Sequence, residues 1–186
     1  MSLSFKNYLI NYLSNRRFKS TSAFTLVELI VVVVIIGILS SIAIPSFQNA
    51  SEKAKQKEAS SLVASYVKAA QAYYTEYSLL ATQPRNLGEY VTVTGCRYSN
   101  AAQCKSQSNA IVDYSRSTTR QWNSPSGNYY IQIRPSGSTR VNYLAIPRTS
   151  SAMGAVGCFS TSTGATRVQE MNAQQKGPGN VRPISC

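Results

Sequence analysis

Glu28 is the single charged side chain between Lys19 and Glu52, and it stands at the leading edge of an apolar run. A carboxylate in that position can reach back to a membrane–water interface or pair with a cation. Left unpaired in a dry medium, it would be strongly unfavourable. The other groups capable of covalent or metal chemistry are four cysteines, Cys96, Cys104, Cys158 and Cys186. There is no histidine, and Asp113 is the only aspartate. Ser-His-Asp and Cys-His sites are thereby excluded, as is any metal site that uses histidine. A four-thiolate metal site needs tight spacings such as C-x-x-C, and these are absent. The expectation is a chain without catalytic residues, metal or cofactor.

The run behind Glu28 sets the organisation of the chain. From Leu29 to Ile44 it is interrupted only by Gly37, Ser40 and Ser41. A helix over Phe24–Ile44 would rise ~31 Å at about 1.5 Å per residue, enough to cross a hydrocarbon core. A secretory signal peptide would be cut after such a run, but Gln48-Asn49-Ala50 is a poor site. A signal anchor explains the length and the flanking charge, whereas a buried core helix would not be apolar on every face. The chain has 19 basic and 7 acidic residues, a net charge of +12. Lys6, Arg16, Arg17 and Lys19 precede the run with no acid among them, which keeps that end in the cytoplasm and exports the chain beyond Pro45. Without residues 1–23 the chain would still carry 15 basic against 7 acidic side chains, a net +8.

Ala23-Phe24-Thr25-Leu26-Val27-Glu28, followed by the unbroken apolar run with Gly37 and Pro45, resembles the prepilin processing site of type IV pilins and pseudopilins. The resemblance is specific over roughly residues 20–60. It implies cleavage between Ala23 and Phe24 by a prepilin peptidase, N-methylation of Phe24, and roles for Glu28, Gly37 and Pro45 in assembly. Ala23 departs from the pattern, in which Gly is usual before the cut. The implied organisation is a leader over 1–23, a transmembrane and assembly helix over 24–47, an amphipathic continuation over 48–80 and a globular domain over 81–186.

Pro45 would bend or end a helix, having no N–H to donate. Helical spacing resumes beyond it: Leu62, Tyr66, Ala70, Tyr73 and Tyr77 form a stripe widened by Val63, Val67 and Tyr74. One bent helix from about Phe24 to Tyr77 is therefore expected. Lys53, Lys55 and Lys57, interleaved with Glu52 and Glu58, read as a solvated turn beside the headgroups. Thr82–Gly88 reads as a loop and Glu89–Thr94 as a short strand. Asn128–Pro147 reads as a hairpin turning at Pro135-Ser136-Gly137-Ser138, with a third strand near Val156–Ser160. Arg116–Asn128, Arg148–Gly154 and Thr161–Thr166 read as loops. The sum is an α+β fold with the helix packed across a small antiparallel sheet. Four exported cysteines allow two disulfides in three pairings. Cys96–Cys104 with Cys158–Cys186 is preferred, the second resembling the C-terminal disulfide loop of many pilins.

The resemblance implies a filament subunit that waits in the inner membrane among lipid and is then packed with other pilin subunits at an inner-membrane assembly platform. Two other readings share the N-terminal signal. One is a pseudopilin of a type II secretion system. The other is a minor pilin that captures nucleic acid, using Arg116, Arg120, Arg134, Arg140 and Arg148 among tyrosines, with Arg134 and Arg140 as the residues to change first.

Overall fold

The computed structural model describes Phe24–Cys186; the leader, including Ala23 of the expected cleavage site, lies outside the described residues. The chain forms two compact units, one ending at Ser46 and one spanning Phe47–Cys186. Helix α1, Leu26–Tyr77, is 52 residues long and contains Pro45 without a break in its assignment. It begins two residues later than the pattern suggested, a difference of the size that helix ends allow. In the first unit its large apolar side chains are all exposed, from Leu26 through Ile44.

In the second unit α1 is followed by α2 (Pro84–Leu87), β1 (Thr94–Cys96), α3 (Ala101–Ser106), β2 (Ile111–Asp113) and β3 (Gln121–Asn123). Then come β4 (Tyr129–Ser136), β5 (Arg140–Pro147), β6 (Ala155–Ser160) and β7 (Thr166–Glu170). The strands form one antiparallel sheet of seven, in the order β2-β1-β3-β4-β5-β6-β7. Its centre is the β4–β5 hairpin, paired from Tyr129↔Pro147 to Ser136↔Arg140. Gly137 in the connecting turn has φ +68°, a conformation that costs glycine nothing.

Period-two patterning in β4 and β5 gives the sheet two apolar faces. Tyr129, Ile131, Ile133, Val141, Tyr143, Ala145, Ala155 and Phe159 face α1 and bury Ala59, Val63, Tyr66, Val67 and Ala70. Tyr66 meets Trp122 edge-on at a centroid distance of 5.6 Å, and the buried Tyr143 hydroxyl donates to the Ala81 carbonyl at 2.7 Å. On the opposite face Leu144 and Val156 pack under Met153 of the β5–β6 loop and Met171 and Val181 of the C-terminal segment, with Ile184 beside them. Asn142 Oδ1 accepts from the Ile184 N–H at 2.9 Å and helps hold that segment down.

Several local expectations are corrected. Glu89–Thr94 is not a strand, because the N–H groups of Tyr90 and Val91 donate to the Leu87 carbonyl in the turn after α2. The strand begins at Thr94 instead. The segment Thr82–Gly88 contains α2, Arg116–Asn128 contains β3, and Thr166 opens β7. Strands of three residues are too short to show a period, and β7 is exposed along most of its length. The buried line of α1 centres on Ala59, Val63, Tyr66, Val67 and Ala70, while Tyr77 is exposed, so the stripe ends a turn earlier than its spacing implied.

The packing around α1 and the two bridges can be tested by stability. A Cβ added at Gly157 would lie 2.5 Å from Val63 Cγ1 and 2.6 Å from Val67 Cγ2. Gly157→Ala should cost about 1–3 kcal/mol by overpacking, seen as a lower urea midpoint, and Val63→Ala in the same chain should restore part of it. Cys96–Cys104 closes a separation of 8 residues and Cys158–Cys186 one of 28. By loop entropy, removing the second bridge should cost about 1 kcal/mol more than removing the first, measured on the two double-serine variants.

Candidate functional site

The first unit carries the feature that the rest of the chain does not account for. α1 is long and apolar enough to cross a membrane, and none of its most apolar window is buried within the chain. Ile42 is 70% exposed and Leu39 is 62% exposed, values that a folded protein in water does not sustain along the whole of Leu26–Ile44. Gly37 has nothing within 4 Å of the position a Cβ would take. Such a helix satisfies its own backbone polar groups and needs only an apolar surround.

Glu28 sits at the head of this segment in a capping box. Its Oε2 accepts from the Thr25 backbone N–H and from Thr25 Oγ1, both at 2.9 Å, while the Glu28 N–H donates to Thr25 Oγ1 at 3.2 Å. The T-x-x-E spacing that marks such a cap is present in the sequence, although the functional pattern there points to Glu28 and not to Thr25. Both bonds to the carboxylate use the same oxygen. Oε1 takes no hydrogen bond from any described residue.

The cysteines are joined as Cys96–Cys104 and Cys158–Cys186, each with a Cα separation of 5.8 Å. The first ties β1 to α3 and the second ties the last residue to β6. The C-terminal segment also grips α1. Buried Gln56 donates through Nε2 to the Met171 and Gly154 carbonyls. On either side Lys57 pairs with Glu170 at 2.8 Å and Lys176 with Glu52 at 3.2 Å. The ion pairs are exposed enough to contribute little, so Gln56 is the specific contact. No sequence signal marks it, since its partners are carbonyls over 90 residues away.

The basic residues do not form one patch. Arg134 and Arg140 share the outer face of the sheet at the turn end of the hairpin, since Arg134 opposes Asn142 and Arg140 opposes Ser136. Arg148 lies past the other end of β5, its guanidinium 5.6 Å from the Tyr130 ring centre and bonded to Asn123 Oδ1. Arg120 donates to the Thr82 carbonyl at 3.1 Å, and Arg116 lines a groove of about 760 Å³ with Arg85, Asp113 and Glu89. Among the described residues, no three His, Cys, Asp or Glu side chains are grouped to hold a metal ion.

Comparison with known proteins bears on this segment directly. Residues 18–44 match the family model of the prokaryotic N-terminal methylation motif. The chain is 28% identical over 96 residues to the fimbrial protein EcpC of Eikenella corrodens, covering 52% of this chain and 63% of that protein. It is 36% identical over 75 residues to the type IV major pilin protein PilA of Myxococcus xanthus, covering 40% of this chain and 34% of the relative. It is 34% identical over 77 residues to the type II secretion system core protein G of Vibrio cholerae, covering 41% and 53%. The matches thus span from about a third to just under two thirds of these relatives' lengths. No solved structure matches the chain. The apolar helix fits a membrane-anchored precursor, and the motif at its head, taken with these relatives, supports a type IV pilin-family protein.

Proposed function

We propose that this chain is a structural subunit of a type IV pilus, held in the inner membrane by α1 and then assembled into a cell-surface filament through the same helix. The observation that carries this is the run Leu26–Ile44, apolar on every side and without a partner among the described residues. In lipid the run is solvated by acyl chains; in a fibre it is solvated by copies of itself. Moving it from one to the other changes little apolar exposure, so packing and electrostatics must set the order. Leader 1–23, helix 24–47, its continuation 48–80 and domain 81–186 then act as address, polymerisation element, connector and fibre surface. Prepilin peptidase would cut between Ala23 and Phe24 and methylate Phe24, and an assembly platform would feed subunits into the filament.

Glu28 gives the polymer its register. Cleavage would create a cationic amine on Phe24, about 6 Å from Glu28 along the axis at ~1.5 Å per residue. In a fibre core both charges are dry, and either one alone is strongly unfavourable. The open Oε1 of one subunit can meet the amine of its neighbour only in one axial setting. Gly37 and Pro45 would shape the helix–helix contacts around that pair. A short periplasmic pseudopilus would use the same device, and the likeness to the Vibrio cholerae core protein supports that second reading.

Two measurements test the proposal. Intact-mass analysis of the mature protein should give a chain beginning at N-methylated Phe24; a start after Ala43 or Ala50, or retention of Met1, overturns it. Glu28→Val should leave the protein cleaved, folded and membrane-inserted while sheared-fibre yield falls at least tenfold against the membrane pool. Equal incorporation of wild type and variant would reduce Glu28 to an interfacial anchor.

A further inference from the structure

Arg134 and Arg140 share the outer face of the sheet, and two arginines that the sequence does not single out join them there. Strand register sets Arg134, Asn142, Cys158 and Arg167 in one row across β4, β5, β6 and β7. Neighbouring strands lie ~4.8 Å apart, so the Cα atoms of Arg134 and Arg167 stand about 14 Å from each other. Arg140 is two residues from Asn142 on β5, about 7 Å along the strand, with Ser136 opposite it. Arg182 lies on the segment that covers this face, next to Val181, which packs with Leu144. Arg134, Arg167 and Arg182 are exposed and Arg140 is partly so. None of the four is ion-paired with any described residue. Arg140 makes one long hydrogen bond, from Nη1 to Ser185 Oγ at 3.5 Å.

Charge is sorted between the two sides of the sheet. The carboxylates of the folded unit are Glu52, Glu58 and Glu76 on α1, Glu89 after α2, Asp113 on β2 and Glu170 ending β7. Glu170 opposes Ala155 and accepts from Lys57 of α1, so it belongs to the helix side. The outer face of β4–β7 and the covering segment Met171–Cys186 carry no acid at all. Like charges on neighbouring strands are destabilising, and solubility is better served by interspersed signs. Four unpaired guanidinium groups on one face are therefore arranged for an anion. The layout also selects the kind of anion. No aromatic side chain stands in this row, and Tyr130, at the far end of β4, has Arg148 over its ring, so single-stranded bases find no stacking platform. A stiff duplex touches a sheet along one line, whereas these arginines spread in two directions. A thin, flexible polyanion can reach them all. Each guanidinium takes a carboxylate through two parallel hydrogen bonds, and the exposed hydroxyls of Ser136 and Ser185 beside Arg140 suit a sugar. We propose that this face binds an acidic polysaccharide, its carboxylates held by Arg134, Arg140, Arg167 and Arg182. The inference deepens the filament reading and rests on it only for its setting, a fibre surface made by the folded domain.

The test is a calorimetric titration of the full mature chain in non-ionic detergent with octagalacturonate. Saturable binding is expected, and its methyl ester, the same backbone without the charges, should not bind. Arg134→Gln with Arg167→Gln should weaken binding at least tenfold, because two charge-assisted contacts are lost. Lys53→Gln with Lys105→Gln removes the same charge elsewhere and should leave it unchanged, each chain being checked for an unaltered unfolding midpoint. No binding, equal binding of acid and ester, or equal loss in both double variants overturns the proposal. Displacement of the oligosaccharide by a short DNA duplex at lower concentration also overturns it, since the face would then take a phosphate backbone. The titration involves no polymerisation, so its failure leaves the filament reading standing. Absence of the wild-type chain from sheared fibres would remove that reading and leave the titration meaningful.

Discussion

The backbone of α1 closes its own hydrogen bonds, and this self-sufficiency lets one element live in two media. Through Ile44 its side chains are apolar all round, and beyond Phe47 the same helix presents one apolar line and one polar side. A strand could not make this change of surroundings, because half of its backbone groups would need a partner in each medium. The helix carries its bonding with it, and only the side chains have to match the surroundings. Burial, capping and charge along the chain are consequences of that division.

In the folded unit the line Ala59, Val63, Tyr66, Val67, Ala70 is made largely of small and β-branched residues, and the sheet comes very close to it. Gly157 permits that approach, standing on β6 where any side chain would strike Val63 and Val67. Larger groups fill in around the contact: Trp122 and Tyr143 against Tyr66, and Phe159 against Tyr74. The sheet then has a second apolar face, and the C-terminal segment covers it. Met171 and Val181 supply the cover, while Asn142 and the bond from Cys158 to Cys186 keep the segment in place. The segment reaches α1 at Gln56, which donates to the Met171 carbonyl and to that of Gly154 in the β5–β6 loop, so this part of the helix is held by residues distant in sequence.

At the other end of α1 the single carboxylate is half committed. Thr25 occupies one oxygen of Glu28 and orients the other. A group restrained in this way loses less entropy when a cation arrives than a freely rotating side chain would. In the proposed filament the local cap and an intermolecular pair would be compatible uses of one residue, with Thr25 positioning the charge that a neighbouring amine would neutralise.

The N-terminal third of the chain was legible because its information is local. The run of apolar residues depends only on neighbours in sequence, and the outer half of α1 and the β4–β5 hairpin came from periodicity sustained over many residues, while the T-x-x-E cap was passed over in favour of Glu28 alone. β1, β2 and β3 were not legible, because three residues show no period and their pairing is decided by partners such as Asp113 for Thr94 and Asn123 for Cys96. The end of the buried stripe short of Tyr77 was likewise settled by where the sheet stops. The dispersal of the arginines and the grip of Gln56 depend on residues far apart in the chain. Amino-acid sequence determined which segment is too apolar along its whole length to face water. Tertiary structure alone decided which distant side chains meet, because those contacts are fixed by strand register and by the covering of the sheet's second face.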